Sequence, residues 1–313
     1  MSVRAGAGLS AVAVVALLMN YTLLRLMTEE RPSSTTGARS PEDVAGPTAP
    51  FCPAAFAYFI TGEAGLPDHM RDSLSSDRSV IFTLSYKEET SSTDVFLPDS
   101  TWTDARNRLY EFGLEWQQEH NCVFQFWTFV DSDLRLTPKP DGDAPVNPLI
   151  RAYEDMLREW EPAVAIPGTG RQPVQSRVWM DAMFITFHHE AVGVALPYDG
   201  SLDEQSWWIS GLICIYKMSR WLGHTLQLDA GFDLVNPVSN PYPRNIENVQ
   251  KVEPRLKYLV PEPLRDCLLN EPFSARSIRF EWFAGTPKKK DMHYRDQATW
   301  SISEIVNCPS TLY

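Results

Sequence analysis

The chain has 313 residues, 28 of them basic and 40 acidic, for a formal net charge of −12. A hydrophobic content of 43% with 12% aromatics supplies a real core, which excludes a wholly disordered chain. The acidic balance argues against a nucleic-acid binder, which needs a clustered basic face, but leaves anionic ligands open because local charge outweighs the sum.

From Ala5 to Met27 the sequence is almost wholly apolar, with Arg4 before it and Arg25, Glu29, Glu30 and Arg31 at its far end. About 20 apolar residues are enough for a helix to cross a bilayer. Residues 1–27 are expected to be an uncleaved signal anchor, the alternative being a cleaved signal peptide with Leu9–Met19 as its apolar region. The first makes a single-pass type II membrane protein, the second a secreted one, and both put the remainder in a secretory lumen. Residues 28–50, rich in Pro, Ser, Thr and Gly, cannot bury enough surface to fold and are expected to be a disordered stem. Residues 51–313 carry no such break and are expected to form one domain.

Within it, AFAYFITG ending at Gly62, SVIFTLSY (Ser79–Tyr86) and TDVFLP (Thr93–Pro98) predict three strands. The run around Ala105, Leu109, Phe112 and Trp116 recurs at three and four and predicts a helix, with Thr103 as its N-cap. Phe124 begins an apolar strand that closes in Asp131-Ser132-Asp133. A helix follows over Asn147–Trp160, then a short strand in AVAIPG. RVWMDAMFITFHHEAVGVALPYD predicts a strand that turns into a helix near His188, and a buried apolar helix spans EQSWWISGLICIYKMSRWLG. TLQLD predicts a late strand, and residues 244–260 and 274–285 a last helix and strand. This alternation predicts an α/β fold: a mostly parallel sheet with helices on both faces. Of five cysteines, Cys122 and Cys214 are expected to be core thiols, and Cys52, Cys267 and Cys308 are the candidates for bridging.

In such folds ligands sit beyond the carboxyl ends of the strands. Asp131 and Asp133 fall there, and an i, i+2 pair continuing a strand shares one face. Two carboxylates together suit a hard divalent cation, Mn2+ or Mg2+, which completes its shell with water and diphosphate oxygens.

The block STWTDARNRLYEFGLEWQQEHNCVFQFWTFVDSDLRL resembles the nucleotide-sugar half of GT-A fold glycosyltransferases, with Ala105-Arg106-Asn107 at a helix start and Asp131-Ser132-Asp133 closing the next strand. The resemblance implies a Rossmann-type GT-A-like fold with Asp131 and Asp133 at the metal. It also places Arg106, Asn107 and Asp131 near the nucleoside diphosphate sugar. WMDAMFITFHHEAVGVALPYDGSLDEQSWW resembles the acceptor half. There Asp203 or Glu204 would be the general base, and Asp181, His188, Trp207 and Trp208 would line the acceptor site, although two histidines stand where arginines are common. A glycosyltransferase anchored in the Golgi or another secretory membrane, with a glycan, protein or lipid acceptor, is the function this implies. The rivals are a metal-dependent phosphoesterase and a non-catalytic lumenal binding protein on a transferase fold.

Overall fold

The computed structural model describes residues 49–139, 149–168, 172–177, 180–204, 206–221, 223–237 and 286–295. The apolar segment, nearly all of the stem, the elements expected over 244–260 and 274–285, and Cys267 and Cys308 lie outside them. Among the described residues no helix is long and apolar enough to cross a membrane.

Strand β1 (Phe56–Ala64) is buried along its first seven residues, as its unbroken apolar run requires of a central strand. It lies between β2 (Ser79–Glu88) and β4 (Phe126–Asp131), parallel to both, in a register that places Thr61 beside Asp131. The two-residue β3 (Val95–Phe96) extends the β2 side, and a short helix, α1 (Asp68–Leu74), links β1 to β2. On the other side come β8 (Phe184–His188), β6 (Val164–Pro167), β9 (Thr225–Leu228) and β7 (Val174–Ser176), completing the order β3-β2-β1-β4-β8-β6-β9-β7. Only β8 and β7 run against the rest, so the sheet is mixed but mostly parallel. β5 (Arg135–Pro138) and β10 (Phe232–Val235) pair separately as a small antiparallel ribbon. The sequence signals α1, β5, β7 and β10 too weakly to predict, since each is short and takes its form from its neighbours.

Helix α2 (Trp102–His120) follows the predicted periodicity, but its cap is Thr101, whose hydroxyl accepts from the Asp104 amide while Asp104 reaches back to the Thr101 amide. Thr103, expected to be the cap, is fully buried two residues further in, within the first turn. Helix α3 (Ile150–Trp160) covers the opposite face of the sheet. Side chains alternate along β4: Trp127 and Phe129 meet the cluster under α2, while Phe126 and Val130 meet the cluster under α3. After β8 the chain turns into α4 (His189–Ala195), then α5 (Trp207–Met218), which ends in a 3-10 turn, Ser219–Trp221. Cys122 is not the core thiol expected: it bonds Cys52, 70 residues away, with 4.9 Å between the Cα atoms. Cys214 is free and buried, and burial pushes its thiol up to about 12.

Gly113 lets α2 approach the sheet, since a Cβ there would lie 2.5 Å from the Trp127 ring and 2.7 Å from that of Phe59. Gly113→Ala is expected to lower stability by about 1–3 kcal/mol through overpacking, measured by urea denaturation. Glu154, wholly buried on α3, accepts from Tyr58 and Ser76, yet burial raises its carboxyl to about 7. The folded chain therefore holds this proton more tightly than the unfolded one. The stability it contributes is full below the ordinary value of 4.5 and is lost as pH rises through about 7. Glu154→Gln should remove that slope, changing its stability relative to wild type by about 3 kcal/mol between the two limits, read from denaturation series at stepped pH.

Candidate active site at the carboxyl ends of the central strands

The connections from β1 wind outward through β2 and β3, whereas β4 lies on the other side of β1. The winding direction thus reverses between β1 and β4, and in open α/β sheets such a switch point opens a crevice beyond the strand ends. Asp131 is the last residue of β4 and so stands at that switch point. Asp133 does not continue the strand, so the same-face geometry expected of an i, i+2 pair does not apply. Ser132 and Asp133 form a turn closed by the Leu134 amide on the Asp131 carbonyl at 3.3 Å. The turn is seated on β1: the Ser132 amide donates to the Thr61 carbonyl at 3.0 Å, and a Cβ on Gly62 would lie 2.3 Å from Ser132 Oγ. The Asp131 amide donates to Met183 O at the start of β8, also fixing the turn from its other side.

Two donors converge on Oδ1 of Asp131: Arg106 Nη2 at 2.8 Å and Trp102 Nε1 at 3.0 Å. The guanidinium of Arg106 is fully buried, with its carbon 4.2 Å from the centre of the Trp102 ring. Burial works most strongly against its charge, but the Asp131 carboxylate and then the Tyr198 phenol together more than offset that and raise its proton affinity. Arg106 thus serves Asp131 from below and has no exposed surface for a phosphate. Asp133 is different. Its Oδ1 is buried with no donor, and burial, then the charge of Asp131, raises its pKa against the Asn236 amide, which hydrogen-bonds it. Tyr86 on β2 adjoins the same acids: burial first, then Glu63, Asp131 and Asp133, raise its phenol.

The other predicted residues divide. Asn107 is committed to the backbone of Tyr198, giving its amide to the carbonyl at 2.8 Å and accepting from the N–H at 2.7 Å. Asp203 is buried, and the hydroxyls of Thr101, Thr103 and Ser210 lie 2.6, 2.8 and 2.8 Å from its oxygens. It ties the loop before α5 to the start of α2, beside Trp102. Glu204, next to it, is exposed. Trp207 is half-buried at the start of α5, and the Trp208 side chain lies outside the described set. Asp181 is exposed and accepts from the Met183 amide at 3.1 Å, which places it near the end of β4. His188 is not brought to this site. It pairs with Phe126 at the start of β4, five residues from Asp131, or about 16 Å along the strand. There it is buried and caps α4 by accepting from the Glu190 amide.

Trp102, Tyr86, Gly62 and Asn236 belong to the site without having been predicted. Trp102 had a usable signal, an aromatic in the first turn of the helix that carries Arg106, four residues before it. The others come together only through the sheet.

No protein-family model matches the chain, and no curated protein matches its sequence. Among solved structures it overlays on TarS 1-349 of S. aureus with a TM-score of 0.43 and 12% identity, over 72% of each chain. The same TarS segment in complex with UDP-GlcNAc gives a TM-score of 0.41 and 9% identity, over 68% of this chain and 70% of that one. A197 from STIV gives 0.36 and 10%, over 59% of this chain and 86% of that one. Overlaps this loose carry no weight for family or activity.

The two acids should respond differently to neutralisation. Asp131→Asn strands a buried guanidinium and is expected to cost about 3 kcal/mol. Asp133→Asn removes a crowded, under-bonded charge and should stay within about 0.5 kcal/mol of wild type or exceed it. Urea denaturation of both variants in metal-free buffer checks the contrast.

Proposed function

We propose that the chain is a metal-dependent glycosyltransferase that takes a nucleoside diphosphate sugar and passes the sugar to a glycan, protein or lipid acceptor. The observation that carries this reading is the acid turn at the β1/β4 switch point, where Asp133 Oδ1 is buried without a donor. A buried carboxylate oxygen left without a donor fits a hard cation, and Oδ2 of Asp131 is the atom we assign to a second bond to the same ion. Mn2+ or Mg2+ held there would offset the charge that grows on the leaving diphosphate.

The chain's own residues supply the rest. Arg106 and Trp102 hold Oδ1 of Asp131 and so orient its other oxygen. Tyr86 and Trp102 give the crevice aromatic margins for a nucleoside. Glu204, exposed on the loop that Asp203 fastens to α2, is the residue we assign to take the proton of the acceptor hydroxyl. Asp203, enclosed by hydroxyls, positions that loop. Trp207, three residues on, offers an apolar face for a sugar ring, and exposed Asp181 borders the same end of the sheet. The Cys52–Cys122 bridge supports an oxidising compartment, in keeping with an N-terminal anchor and residence in the Golgi or another secretory membrane.

The test is turnover of a panel of nucleoside diphosphate sugars by the full chain, with and without Mn2+. Metal-dependent release of nucleoside diphosphate is expected, reduced about 100-fold or more in Asp133→Asn, with an unchanged denaturation midpoint. Near-wild-type turnover in that variant sinks the assignment. Hydrolysis of simple phosphate esters in place of sugar nucleotides would mark a phosphoesterase.

A further inference from the structure

At the end of the sheet opposite the acid turn, His188, His189 and Glu190 stand in sequence where β8 turns into α4. One ligand atom from each lies within 4.8 Å of the other two. The segment 286–295 lies over them. Glu190 Oε2 accepts the Tyr294 amide at 2.9 Å, which leaves Oε1 for other partners. Around Oε1 stand Lys290 Nζ at 2.8 Å, His293 Nδ1 at 3.4 Å and His189 Nε2 at 4.0 Å. Neighbouring ligand atoms in a tetrahedral zinc site are about 3.4 Å apart, given bonds of about 2.0–2.1 Å. One ammonium therefore shares a single carboxylate oxygen with two nearby imidazoles.

We propose that this group is a second cation site, separate from the acid turn, which binds a transition-metal ion such as Zn2+ in place of the Lys290 ammonium through Glu190, His189 and His293, with water as the fourth ligand, while His188 keeps its cap on α4. The donors are of the right kind, imidazole nitrogen and carboxylate oxygen. The approach is open on one side: His293 is 80% exposed and His189 partly so. Lys290 competes with the ion for Oε1. An ion in this position ties α4 to the 286–295 segment, as Lys290 does in its absence.

The experiment is calorimetric titration of Zn2+ into the full chain carrying Asp133→Asn, so that the acid turn contributes little, with Co2+ as a spectroscopic stand-in. One ion per chain is expected, with the visible absorption of four-coordinate cobalt. His293→Ala changes an exposed side chain and is expected to fold normally while weakening binding about 10-fold. Lys290→Met should tighten binding several-fold by removing the competing ammonium. The proposal is overturned if neither the parent nor Lys290→Met takes up zinc, which would make the group an ionic latch alone. It is equally overturned if zinc binds with the same affinity after His293→Ala and His189→Gln. Neither result bears on sugar transfer, because the two sites share no residue.

Discussion

The contact on which the candidate site depends is the pair between Arg106 and Asp131. A fully buried guanidinium is tolerable in a protein interior only when an opposite charge meets it. Here that charge is the last residue of a central strand. The bond therefore joins α2 to the sheet and fixes one oxygen of the acid at the crevice. Trp102 reinforces it twice, by its indole N–H to the same oxygen and by its ring beneath the guanidinium. Asp131 is thus part of the core as much as of the site, whereas Asp133, two residues on, has no donor on one oxygen. That difference separates a residue that holds the scaffold from one that is free for a ligand.

The two ends of the sheet are put to different uses. At the carboxyl ends of β1 and β4 stand the acids, Tyr86 and Trp102, where Asp133 keeps one buried oxygen without a donor. At the other end, Cys52 is bonded to Cys122, His188 caps α4, and Glu190 gathers Lys290, His293 and the Tyr294 amide. Tyr294 itself is fully buried and its carbonyl accepts from the indole of Trp221. That end carries the bonds that keep the chain's distant segments together. The antiparallel run of β8 connects the two, from Met183 beside Asp131 to His188 beside Phe126.

Much of this was legible in the sequence where local pattern decides structure. The apolar runs of β1, β2 and β4, the periodicity of α2 and the strand-to-helix change at His188 all appear as predicted. Position along the sheet was less legible. The resemblance of its sequence block groups His188 with the acceptor residues, but the reversed direction of β8 carries it to the far end. Asn107 and Asp203 are placed at the site by the resemblance of their sequence blocks, which says nothing of what each side chain bonds. Their partners, Tyr198 for one and Thr101, Thr103 and Ser210 for the other, are mostly about a hundred residues away and become visible only in three dimensions. Cys122 was misjudged for the same reason, since its apolar surroundings describe the half-cystine as well as they describe a thiol.

Gly62 and Ser132 illustrate how closely strand and turn are fitted. With 2.3 Å between a would-be Cβ and the serine oxygen, neither position has room to grow alone. The residue between the two acids faces no ligand in this account, yet it is constrained by a strand that carries no acid of the pair. Across descendants of this chain, positions 62 and 132 should drift in concert, and a bulkier middle residue should be found only opposite a bare backbone.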